Sequence, residues 1–190
     1  VVLCRAYIGV RSGVGVAMSL GVQAGSVSGF VSFDAPSVSG CAAANLAVSG
    51  LCLVTVSGSG FGVCDVSGSG RLGISSVHSA AWLSDSGVVC GVDSGVGDRL
   101  GSVVTVGVQA GSVSGIVSYD SVGLMAVVNG SNVGTTGWGA VSVVGVAFGV
   151  DDYSAGIRVG GTAADEEGWM SDSSLVCRGA AGVGGTRRVG

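Results

Sequence analysis

The chain has 190 residues, 47% of them hydrophobic and only 11% charged, with 38 Gly and a single Pro, Pro36. Its formal charge of −4 rests on eight Arg and no Lys, which speaks against a nucleic-acid partner, because phosphates call for clustered basic side chains. Mean hydropathy is +0.70, yet Gly or Ser interrupts every apolar run short of the ~18 residues a spanning helix needs, so no membrane span is expected.

In chain order, the first block to stand out is GVQAGSVSGFVSFD at residues 21–34, which returns as GVQAGSVSGIVSYD at 107–120, 86 residues on. Residues 54–62 return at 141–149, and Trp82-Leu83-Ser84-Asp85-Ser86 returns as Trp169-Met170-Ser171-Asp172-Ser173, both 87 residues on. Cys4, Cys90 and Cys177 keep the same spacing. One inserted residue between 34 and 54 reconciles the two offsets, so the chain reads as a tandem repeat. Residues 1–34 are the C-terminal part of one unit, 35–120 a complete unit, and 121–190 the N-terminal and central part of the next. Both ends fall inside a unit, which reads as a window on a longer array.

Within each unit the apolar residues come in short alternating runs, such as Val54-Thr55-Val56 and Val103-Val104-Thr105-Val106. That is the two-residue period of a half-buried strand. β-Branched Val suits a pleated surface, and the Gly and Ser clusters between runs suit turns. Many short strands and almost no helix are expected.

The recurrent aromatic residues Trp82, Trp169, Phe61 and Phe148 read as core anchors of a sandwich. Asp85 and Asp172, each flanked by Ser, read as turn residues that accept backbone amides. The six cysteines Cys4, Cys41, Cys52, Cys64, Cys90 and Cys177 fit either disulfides in an extracellular setting or small buried hydrophobes. Cys4, Cys90 and Cys177 also suit crosslinks between subunits. Asn129-Gly130-Ser131 is a glycosylation sequon.

Enzyme chemistry finds little footing. His78 is the single histidine and aligns with Asp165 of the next unit, which reads as a surface residue of a variable loop. The acidic run Asp165-Glu166-Glu167 reads as a solvated loop, as does the basic doublet Arg187-Arg188 as solvated surface. Asp151-Asp152 offers too few oxygen ligands for calcium and reads as a surface turn. The Gly-x-Gly strings lack a following helix and a Lys for phosphate. No catalytic, cofactor-binding or metal-binding residue is assigned.

The run Leu53-Val54-Thr55-Val56-Ser57-Gly58-Ser59-Gly60-Phe61-Gly62 resembles the VTVxGxxFG signature of IPT/TIG domains, immunoglobulin-like folds found in tandem in cell-surface proteins. Arg158-Val159-Gly160-Gly161-Thr162, Trp169 to Ser173, Cys177-Arg178 and Ser32-Phe33-Asp34-Ala35-Pro36 are further similar to giant tandem-repeat proteins of algae and other protists. The resemblance covers essentially the whole chain. It implies an all-β array of tandem immunoglobulin-like (IPT/TIG-type) β-sandwiches, each with about seven short strands. The family also places a Cys where Val77 and Ala164 stand here, so the intradomain bridge it implies lacks one partner.

By the same resemblance the chain is expected to be extracellular and structural, a building block of a fibre, a mastigoneme-like surface hair or a cell-surface coat. The alternative is an adhesion or receptor module that binds glycan or protein. Expected partners are neighbouring repeats or further copies of the chain, with glycans attached or bound. The partial units at the two ends suit strand complementation between copies, and equally a chain that continues beyond both ends.

Overall fold

The structure is a computed structural model that describes residues 1–65, 68–129 and 132–183. Arg187-Arg188 and the last two residues of the sequon lie outside the described residues. Every regular element among the described residues is a strand, and no helix is long and apolar enough to cross a membrane. The residues form two compact units. Unit 1 comprises Val1–Leu46, Gly50–Asp93 and Asp98–Ser118, and unit 2 comprises Ala47–Ser49, Ser94–Gly97 and the chain from Tyr119 onward.

Unit 1 opens with an antiparallel hairpin of β1 (Val14–Leu20) and β2 (Gln23–Val31). Leu20 pairs with Gln23, so Gly21 and Val22 form a two-residue turn, with Gly21 at φ 61. A leading left-handed Gly suits the II′ turn, whose twist matches that of the strands.

The remainder of unit 1 is a β-sandwich. Its strands are β3 (Ser37–Cys41), β4 (Asn45–Leu46), β5 (Cys52–Ser59), β6 (Ser69–Leu72), β7 (Ser75–Ser84), β8 (Gly87–Val92), β9 (Leu100–Val106) and β10 (Gln109–Tyr119). They are hydrogen-bonded in the order β3-β5-β8-β7-β6-β9-β10-β4. The two sheets meet in β7: Ser75 and Ser76 pair with β6, whereas Val77 to Ser84 pair with β8. The result is β3-β5-β8-β7 on one side and β6-β9-β10-β4 on the other, the strand arrangement of immunoglobulin domains. Period-2 alternation places Val54 and Val56 of β5 and Val104 and Val106 of β9 inward, all 2% exposed or less. Val38, Val56, Phe61, Val88 and Cys90 of one layer pack with Val104 and Val106 of the other. Burying each such Val contributes about 1.5–3 kcal/mol.

Unit 2 repeats the first sheet. β11 (Gly123–Asn129), β12 (Ala140–Val146), β16 (Ser174–Arg178) and β15 (Glu166–Ser171) lie in the order β11-β12-β16-β15. A separate pair, β13 (Arg158–Val159) and β14 (Thr162–Ala163), stands where β6 and the start of β7 stand in unit 1. The strand that is continuous as β7 is therefore split here into β14 and β15. The core holds Val141, Val143, Phe148, Ile157, Leu175 and Cys177, with Ala155, Val159 and Ala164 packed against it.

The inserted residue can now be placed more narrowly. Cys41 pairs with Val56 in unit 1 and Val127 with Val143 in unit 2, at the matching repeat positions. The extra residue thus falls after Cys41 and Val127, where the β11–β12 ladder carries an irregularity between Val127 and Asn129 that the β3–β5 ladder does not have after Cys41.

Candidate functional site

The strongest recurrent constellation is a clamp at one end of each unit. At Gly58 a Cβ would collide with the carbonyl oxygen of Ser37 and the ring tip of Phe61, and at Gly145 with the carbonyl oxygen of Gly123 and the ring of Phe148. A glycine three residues before the Phe therefore lets the ring fold back over its own strand, where Phe61 is 0% and Phe148 6% exposed.

The β7–β8 turn locks this loop. The Phe61 amide donates to the Asp85 carbonyl at 3.0 Å, the Gly62 amide to the Asp85 carboxylate at 3.0 Å, and the Gly60 amide to the same carboxylate at 3.4 Å. In unit 2 the Phe148 amide donates to the Asp172 carbonyl at 2.9 Å and the Gly149 amide to its carboxylate at 2.9 Å. An ionised acceptor makes these bonds stronger than neutral ones. Ser84 and Ser171 hold the turns by accepting the amides of Ser86 and Ser173.

A valine seats against each clamp. A Cβ on Gly62 would lie 3.4 Å from the Val10 side chain, and a Cβ on Gly149 would lie 3.4 Å from that of Val96. Val10 and Val96 occupy one repeat position, 86 residues apart. The aromatic rings of Phe33 and Tyr119 likewise cover Gly9 and Gly95, at another pair of matching positions.

The two recurrent Trp, Trp82 and Trp169, are half-buried at the margins of their cores rather than enclosed between two sheets. Trp82 donates its Nε1 proton to the Gly62 carbonyl at 3.2 Å, tying it to the clamp. The buried Nε1 of Trp169 has no such partner. Beside Trp169 lies a cavity of about 230 Å³ lined by Asp152, Ala155, Ile157, Glu167, Trp169 and Leu175, among others.

All six cysteines are free thiols: Cys4 and Cys64 exposed, Cys41 and Cys52 partly covered, Cys90 and Cys177 buried. Burial pushes the Cys90 thiol up to about 11, with the Cys41 thiol adding to the shift. Burial likewise raises Cys41 and Cys177, the latter helped by Glu167. Thiols raised in this way stay protonated and unreactive at neutral pH. Asn129 ends β11 with its side chain exposed.

Two loop expectations are corrected. His78 lies on β7, not on a loop, with its Nδ1 3.1 Å from an Asp93 carboxylate oxygen. Glu166 and Glu167 lie on β15, because Trp169 pairs with Leu175 and carries the strand back through both acids. Glu166 pairs with Arg178 at 2.7 Å, and Arg178 lies over the Trp138 ring at 5.6 Å. Glu167 accepts the Ile157 amide at 2.8 Å. Asp152 accepts the Ser154 amide at 2.9 Å in a tight turn. Among the described residues no three His, Cys, Asp or Glu side chains converge on a metal-sized site.

No family model matches the chain, and no curated protein matches it. Among solved structures it is similar to the full extracellular region of plexin A4, with 14% identity, 77% of this chain and 13% of that chain covered, and a TM-score of 0.41. It is also similar to SGBP-B from a xyloglucan utilization locus of Bacteroides uniformis, at 14% identity, 82% and 45% coverage and a TM-score of 0.36. A third is the I9-I11 tandem of titin, at 9% identity, 78% and 56% coverage and a TM-score of 0.31. The chain thus spans less than two thirds of each of these proteins. The immunoglobulin-like, all-β fold stands on the strand order and registers of the chain itself.

Proposed function

We propose that the chain is a structural module of an extended extracellular array, with residues 1–34, 35–120 and 121–190 as successive immunoglobulin-like repeats. The observation that carries this reading is the repeated seating of Val10 on the Gly62 clamp and Val96 on the Gly149 clamp. A residue placed before the last strands of one repeat meets the clamp of the next, at the same register both times. Stacked repeats with a constant junction lengthen a rod by copy number. Fibres, surface hairs and surface coats use such rods. Electron microscopy of the native material tests it: filaments with an axial repeat commensurate with one sandwich support the reading, and dispersed single particles overturn it.

In this setting Asn129, exposed at the end of β11, carries an N-linked glycan. Peptide N-glycosidase treatment of native material should lower the mass of the peptide containing it. An unmodified Asn129 in every molecule overturns that assignment.

A further inference from the structure

Leu51 and Trp138, 87 residues apart at one repeat position, share a backbone conformation that their side chains do not explain. They have φ 59 and φ 63, and each follows a left-handed glycine, Gly50 at φ 70 and Gly137 at φ 76. Each amide donates to a matching carbonyl, Leu51 to Val92 at 2.9 Å and Trp138 to Gly179 at 2.8 Å. The left-handed region is costly for a bulky L-residue and open to glycine, so a glycine would serve this turn better. Neither side chain offsets the strain by entering a core, since Leu51 is 85% and Trp138 66% exposed. In unit 1 strands β6 to β10 all follow, and Leu51 still stands in solvent. Exposure therefore belongs to the repeat position.

Only in unit 2 does this position gain chemistry. Arg178 lies over the Trp138 ring, its Cζ 5.6 Å from the centroid, and its Nε–H donates to a Glu166 carboxylate oxygen at 2.7 Å. Gly91 and Ser79 stand at the places of Arg178 and Glu166 in unit 1. A Cβ on Gly137 would collide with the backbone of Gly179, Ala180 and Ala181. The turn is thus pressed against the segment that follows β16, which fixes the direction of the indole. The result is a rigid apolar plane with a guanidinium on one side, solvent on the other, and a carboxylate bonded to that guanidinium. Both charged side chains are accessible, Arg178 at 44% and Glu166 at 64%, and the guanidinium has four N–H donors besides Nε–H.

We propose that Trp138, Arg178 and Glu166 form a saccharide-binding platform for a β-linked pyranose of gluco configuration. All ring substituents of such a sugar are equatorial, so its two faces carry only C–H groups and its hydroxyls point outward. The C–H face stacks on the open side of the indole, whose negative π face attracts the weakly positive hydrogens. Arg178 braces the ring from the other side. Hydroxyls of an adjoining sugar residue donate to Glu166 and accept from the Arg178 Nη–H groups, in charge-assisted bonds of the stronger kind. An apolar surface with a few placed polar groups is the usual make-up of a small-ligand site. Other occupants fit less well. A second cation on the ring would meet the charge of Arg178, and a nucleotide would bring its phosphate to Glu166. One indole is far smaller than the ~800 Å² per partner of a standard protein interface. The platform lies within unit 2 and goes beyond the array reading by giving one repeat a ligand.

Acrylamide quenching of tryptophan fluorescence in the 190-residue chain, with cellohexaose or chitohexaose added, tests this. Trp82 and Trp169 are half-buried and Trp138 is exposed, so Trp138 dominates the quenching. At least one of the two sugars should shield it saturably and shift its emission to the blue. The sugar that does so identifies the ring as glucose or N-acetylglucosamine. Trp138→Leu copies unit 1, whose Leu51 already occupies this conformation, so the variant keeps its fold. By titration calorimetry it should bind at least about tenfold more weakly, having lost the stacking surface. Shielding by neither sugar, equal shielding by α-linked maltohexaose, or unchanged affinity in Trp138→Leu overturns the proposal. None of these results touches the structural-repeat reading, which the filaments of native material decide separately.

Discussion

The β1–β2 and β9–β10 hairpins are near copies in sequence and agree in strand register, yet one lies almost wholly in solvent and the other forms half of a core. Pairing, turn and irregularity are therefore local properties, set by the Gly-Val turn and the alternation of Val with small residues. Burial is not local. It depends on whether the β3-β5-β8-β7 sheet, or an equivalent, lies opposite. Among the described residues the two larger units differ too: unit 1 has both layers, and unit 2 has one four-stranded sheet and a separate short strand pair.

The sharpest way to break this comparison is to place the same charge at matching positions. Val104→Asp should cost unit 1 about 4 kcal/mol or more, since it buries an unpaired charge. Met18→Asp at the equivalent position of β1 should shift the intrinsic stability of a dilute chain by less than about 0.5 kcal/mol. Chemical denaturation of the two variants side by side measures the gap. Equal costs would mean that the first hairpin is already covered within a single chain.

Next comes the clamp. Phe61→Ala should destabilise unit 1 by about 3–5 kcal/mol, by lost transfer energy plus the cavity left behind. Hydrogen exchange resolved by segment should show the loss in Cys52–Val92, with β11–β16 unaffected. Asp85→Ala should cost less, about 1–3 kcal/mol, since it strands amides rather than emptying the core. The unit 1 carboxylate serves two amides, Gly60 and Gly62, and the unit 2 carboxylate serves that of Gly149. Asp172→Ala should therefore be the milder of the pair, and an inverted order would show that the clamps are not equivalent.

The smallest effect is on pH. The folded Cys90 thiol titrates near 11, against 9.0 for an ordinary thiol. The folded state thus holds its proton to higher pH than the unfolded chain, so this contribution is intact below about pH 9 and is lost as pH rises toward about 11. Cys90→Ser should flatten that alkaline slope in a melting series. In the same window Cys4 and Cys64 should alkylate readily in the native protein, and Cys90 and Cys177 only on unfolding.

Much of the fold was legible because it repeats. Val alternation marked β5, β9 and β12, and two offsets differing by one residue revealed an insertion that strand pairing now places after Cys41 and Val127. What escaped were strands that serve two masters. β7, with the sequence SSVHSAAWLS, shows no clean period because its first residues belong to one sheet and the rest to the other. His78 consequently looked like a loop residue. Glu166 and Glu167 looked solvated because charge density reveals nothing about register, which Trp169 and Leu175 impose from further along the strand. At the clamp, the recurrence of Phe61 and Asp85 was visible in the spacing, but the grip of a carboxylate on amides 23 and 25 residues away required the folded turn.

The passage of β7 from one sheet to the other has a mechanical consequence. In unit 1 a single strand stitches the two layers, so tension that slides one layer over the other must strip the β6 and β8 registers together. Such a domain resists up to one peak force and then gives way at once. In unit 2 the stitch is cut between β14 and β15, where the Ala164 and Asp165 amides donate to the Ile157 and Arg178 carbonyls and Glu167 accepts the Ile157 amide across the gap. Pulled by its ends in an optical trap, a single chain should yield in unit 2 first and at lower load, leaving unit 1 as the last rigid link.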